Sequence, residues 1–108
     1  MEIFKIFAFD GEGKAKLYAE IKDRFGYYAA VEKYFAKKQA AGKPLDEDDS
    51  ILQTILDRSY VIPSADFKRV MQALRHFDEI GISNDVHDII EEIKEDGGYT
   101  AVSLNGDY

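Results

Sequence analysis

The sequence predicts an α+β fold: an N-terminal β-hairpin and a C-terminal strand form a small antiparallel sheet, with about four helices packed on one face. Three observations carry this reading. Residues 2–9, EIFKIFAF, are rich in Phe and Ile and run into the turn residues Asp10-Gly11-Glu12-Gly13. The run YTAVSL at 99–104 follows a Gly97-Gly98 break and has strand composition. Between these ends the apolar residues recur at helical spacing. A chain of 108 residues fits a single domain, 1–108, and is long enough to bury a core without covalent staples.

The elements follow in order. Ala15, Leu17, Ala19 and Ile21 alternate with Lys16, Tyr18, Glu20 and Lys22, the period of a half-buried strand. Lys14, Leu17, Ile21 and Phe25 also fit a helical period, so strand and helix compete over 14–22, and the hairpin is the favoured of the two. Gly26 ends the pattern. Tyr27, Val31, Tyr34/Phe35 and Lys38 then mark one face of a helix that closes with Lys37, Lys38, Gly42 and Pro44. In KPLDEDDSILQTILDR, a stripe of Ile51, Leu52, Ile55 and Leu56 follows four consecutive acids. The run YVIP at 60–63 reads as a short strand or an extended connector. Ser64 is placed to cap a helix whose inner face is Phe67, Val70, Met71, Leu74 and Phe77, stopped by Gly81. Ser83 is placed to cap a last helix with Val86, Ile89, Ile90 and Ile93 inward. No repeat, linker or low-complexity tract interrupts this order.

Composition excludes several classes of chemistry. The chain has no cysteine, which removes disulfides, thiolate metal sites and cysteine nucleophiles, and fits a cytoplasmic location. The N-terminal run carries Glu2 and Lys5 and reads neither as a secretion signal nor as a membrane span. The net charge of −7 is unevenly spread: residues 1–43 hold nine Lys/Arg and six Asp/Glu, residues 44–108 five and fifteen. An acidic second half argues against direct contact with nucleic-acid phosphates and suits a basic protein surface.

Asp46, Asp48, Ser50 and Asp57 fall at calcium-loop positions, but the glycine such a loop needs is replaced by Ile51. A helix start accounts for these acids better, with Asp46 as the cap, Asp49 reaching back three residues on, and Glu47 and Asp48 at the positive end of the dipole. The stretch ALRHFDEIGISNDVHDIIEEI loosely matches helix-turn-helix spacing, yet its second helix is acidic, so a plain helical hairpin is expected. His87 and Glu91, like Asp88 and Glu92, lie four apart on that helix, but no second histidine is near enough in sequence to make a metal motif. His76 reads as a residue flanking the apolar stripe. GEGKA at 11–15 lacks the spacing of a phosphate loop, and no Ser/His/Asp arrangement can be assembled.

The feature that helix stability leaves unexplained is the acidity of the last helix. Asp85 and Asp88 suit its start, but Glu91, Glu92, Glu95 and Asp96 crowd an end where cations are preferred. Asp85, Asp88, Glu91, Glu92, Glu95 and Asp96 are therefore the expected partner-binding residues. The expected role is that of a small, non-enzymatic interaction or inhibitor protein without cofactors, docking this face on a basic partner. In composition, not in motif, it has the character of the acidic inhibitors of phages and mobile elements. Two other readings are a small enzyme or metal-dependent module using the helix carboxylates, and an oligomeric accessory subunit joined at its sheet edge.

Overall fold

A computed structural model of the chain describes residues 2–23, 26–55, 57, 59–76 and 83–108. Strands β1 (Glu2–Asp10), β2 (Ala15–Asp23), β3 (Val61–Pro63) and β4 (Tyr99–Leu104) form one antiparallel sheet in the order β2-β1-β4-β3. The described helices are α1 (Tyr27–Ala40), α2 (Glu47–Ile55), α3 (Phe67–His76) and α4 (Ser83–Asp96). The expected α+β architecture is present. Residues 15–23 are strand, and YVIP supplies a fourth strand, with Ile62 opposite Val102 and Pro63 opposite Ala101. Leu56, Phe77 and Gly81, and the side chains of Ile55, His76 and Ser83, lie outside the described residues.

Alternation along β1 sets the two faces of the sheet. Phe4, Ile6 and Ala8 enter the core, where they meet Tyr27 and Val31 of α1, Leu52 of α2, Leu74 of α3 and Ile90 of α4. Ile3 and Leu17 face outward and remain 42% and 43% exposed. The outer face receives the last residues of the chain. Asn105 takes a left-handed conformation, donates its N–H to the Lys5 carbonyl at 2.6 Å and accepts the Lys5 N–H on its side chain at 3.1 Å. Tyr108 then lies edge-on against Phe7 and Phe9, at 5.6 and 5.1 Å between ring centres. A side chain at Gly106 would crowd both the Ser103 hydroxyl and the Tyr108 ring, so a larger residue there would have to displace the ring.

Local chemistry fixes the connections. The Asp10 carboxylate accepts the N–H groups of Glu12 (2.9 Å) and Lys14 (3.0 Å), which closes the hairpin turn and holds that carboxyl below its ordinary range. The β1–β2 ladder shifts between Ile6 and Phe7: Ile6 faces Ala19 and Phe7 faces Leu17, leaving Tyr18 on a bulge of the edge strand. At α1, Gly26 adopts φ +72° and offers no side chain, so Asp23 caps the helix from four residues upstream by accepting the Tyr27 N–H at 2.6 Å.

The start of α2 is the reciprocal box expected from the sequence. Asp46 accepts the Asp49 N–H at 2.8 Å, and Asp49 accepts the Asp46 N–H at 3.1 Å. Asp46→Ala is expected to lower the unfolding free energy by about 1 kcal/mol in urea denaturation, the usual cost of losing such a cap; an unchanged midpoint would show that the box contributes nothing.

The expected Ser64 cap is not formed. Ser64–Asp66 is a 3₁₀ turn, the cap position falls on Pro63, and no side chain bonds there. Pro63 is still paired in β3, so the chain passes from strand into helix without the extended residue at Ser64 that a serine cap requires. No helix among the described residues is long and apolar enough to cross a membrane.

Candidate functional site

Burial of Val86, Ile90 and Ile93 fixes the rotation of α4 on the core. The helix stops at Gly97, whose φ of +75° turns its N–H back to the Ile93 carbonyl at 3.4 Å. At about 100° per residue, Asp85, Asp88, Glu92, Glu95 and Asp96 then share one arc of roughly 100° pointing away from the core. All five are exposed. Glu91 is exposed too, but it lies on the other flank and faces α3. Among the described residues none of the six pairs with a Lys or Arg, and Asp88 lies 3.2 Å from His87 Nδ1.

One flank of this arc reaches the sheet. Tyr18, on the bulge of β2, meets Tyr99 of β4 edge-on at 5.7 Å. The Tyr18 phenol is pushed above its ordinary value, first by burial and then by the charges of Glu92 and Asp96. Two half-buried tyrosines therefore stand at the rim of the acidic arc. The aromatic cluster conspicuous in the sequence, on α1, serves the interior instead: Tyr27 is fully buried, and Tyr34 donates its hydroxyl to Asp49 at 2.8 Å.

The acids at the start of α2 have a different fate. Asp49 is fully buried between α1 and α2, with the Tyr34 hydroxyl on one carboxylate oxygen and the Lys38 ammonium on the other. Lys38 also lies 3.7 Å from Asp46. Burial opposes ionisation of Asp49, but the Lys38 ammonium, the Asp46 N–H and the Tyr34 hydroxyl outweigh it and hold the carboxyl below its ordinary range. Lys38 is raised in turn, chiefly by its bond to Asp49. A carboxylate so enclosed is an anchor between helices and is poorly suited to exchanging protons with a substrate. Glu47 is drawn off to Arg69 of α3, above a cleft of about 250 Å³ floored by Ile51, Ile62 and Val70.

His87 lies nearly buried where α4 meets α3. Its Nε2 accepts a hydrogen bond from Arg75 Nε at 3.2 Å, which leaves the proton on Nδ1, beside Asp88. The ligand atoms of His87, Asp88 and Glu91 come within 4.8 Å of one another. Helical spacing places Glu91 four residues from His87 and three from Asp88, while His87 and Asp88, adjacent in the chain, meet through side-chain rotation. Gln72, Lys68 and Arg75 of α3 and Lys94 of α4 complete a groove of about 220 Å³ beside it.

No protein-family model matches the chain, and comparison with curated proteins and with solved structures gives no match either. The side chains are thus the guide to function.

Proposed function

We propose that this protein is a non-enzymatic interaction module that docks the outer arc of α4 on a basic surface of another protein. The observation that carries the reading is the contrast between two sets of acids. Asp46, Glu47 and Asp49 are engaged in a cap, an ion pair and a buried anchor. Asp85, Glu92, Glu95 and Asp96 are exposed, share one arc and have no cation partner among the described residues. Three of these four stand in the last turns of the helix, where they oppose the dipole. Tyr18 and Tyr99 at the rim add the amphipathic surface that protein interfaces favour. A groove that ordinarily holds nucleic-acid phosphates offers the complementary charge, and the mechanism there is steric and electrostatic competition.

The triple substitution Glu92→Lys, Glu95→Lys and Asp96→Lys tests this. Proteins captured from a lysate by the wild type in about 0.05 M salt, and released in about 0.5 M salt as screening shortens the reach of the charges, are expected to be absent from the triple variant. The variant should keep its circular dichroism and gain a few tenths of a kcal/mol from the relieved dipole. Retention of the same partners by a folded variant would end the proposal.

A further inference from the structure

Lys68, Gln72 and Arg75 stand at i, i+4 and i+7 on α3, and His87, Glu91 and Lys94 at the same spacing on α4. All six line the groove between the two helices. Arg75, at the end of its stripe, meets His87, at the start of the other. The stripes therefore run in opposite directions, which brings Gln72 opposite Glu91 and Lys68 opposite Lys94. Three cations and one carboxylate share a concavity in a protein of net charge −7. Two ammonium groups held across a groove repel each other until an anion sits between them.

We infer that this groove binds a small oxyanion of the phosphate class. Arg75 spends its Nε on His87, and its terminal amino groups keep the fork that grips two oxygens of such an anion. The Gln72 amide is a further donor. The volume of about 220 Å³ is below that of pockets for drug-sized ligands, so it fits inorganic phosphate or a compact phosphomonoester and not a nucleotide.

The competing occupant is a divalent cation on His87, Asp88 and Glu91. It is disfavoured because Arg75 already occupies the lone pair of Nε2, the proton on Nδ1 faces Asp88, and Lys68, Arg75 and Lys94 oppose positive charge. The site does not depend on the acidic arc, since Glu91 lies on the other flank of α4 and none of the five arc residues lines the groove.

The test is titration of isotopically labelled protein with inorganic phosphate, with chloride at matched ionic strength as the reference arm. Saturable shifts confined to residues 68–75 and 87–94 are expected with phosphate and not with chloride. Lys68→Ala with Lys94→Ala removes two exposed side chains and should weaken binding at least about tenfold, or 1.4 kcal/mol. Glu91→Gln removes the opposing charge and should tighten it. A phosphate response equal to that of chloride, or one unchanged in the double variant, would overturn the assignment. So would saturable zinc binding at His87 that is lost in Glu91→Gln.

Discussion

Asp49→Ala is expected to destabilise the fold by about 3–5 kcal/mol, because it strands the Lys38 ammonium and the Tyr34 hydroxyl where their partner was buried. That is a large part of the roughly 5–15 kcal/mol by which a domain of this size is stable. Urea denaturation measures it. Lys38→Met alone should also be costly, for the mirror-image reason. Combining Lys38→Met with Asp49→Leu should cost less than the two changes added together, since neither charge is then left alone. Strict additivity would mean that the pair does not act as a unit.

The same anchor sets a pH dependence. The Asp49 carboxyl is lower in the folded protein than in the unfolded chain, so its contribution is complete above the unfolded value of about 3.9 and lost as pH falls through the folded one. Lys38 is raised, so its contribution is complete below about 10.4 and lost as pH climbs through its folded value. In Asp49→Ala the acid limb of the stability profile should flatten.

Phe4→Ala carries the second large effect, about 3–5 kcal/mol, from lost burial and the cavity left behind. Its ring lies between sheet and helices, edge-on to Tyr27 at 5.2 Å. Leu17→Ala, on the opposite and largely open face, should change stability by no more than about 0.5 kcal/mol. Equal losses at the two positions would contradict the placement of all four helices on the Phe4 face.

Much of this architecture is legible in the sequence where a periodic pattern meets a single buried face. Val86, Ile90 and Ile93 spell out one side of α4, and Tyr27, Val31 and Tyr34 one side of α1. The cap at Asp46 is equally plain, because both of its partners lie within four residues. The burial of Asp49 is not legible in the same way. Its decisive neighbours, Tyr34 and Lys38, come from another helix, and local reasoning explains the residue fully as a cap. The available clue is that Lys38 continues the apolar stripe of α1, an inward position that a lysine occupies only with a partner. Ser64 misleads for the opposite reason: its residue type suits a cap, but pairing of the preceding Pro63 in the sheet decides the backbone. In the candidate site, the acids of α4 are legible as a charged run. That five share an arc while Glu91 turns toward α3 follows from the buried stripe. The facing of Lys68 and Lys94 needs the contact between Arg75 and His87.

The two borders of the sheet bear on how the molecule behaves in a crowd. β3 is three residues long and ends in Pro63, whose nitrogen has no hydrogen to give. β2 is longer, but it is kinked by the bulge at Tyr18 and studded with Lys16, Glu20 and Lys22. Neither border offers a straight, uncharged seam on which a neighbouring chain could template itself. Run-on polymerisation and fibre growth are opposed at both ends, which also counts against assembly of a subunit through the sheet edge. Neighbouring copies would have to meet through faces and side chains.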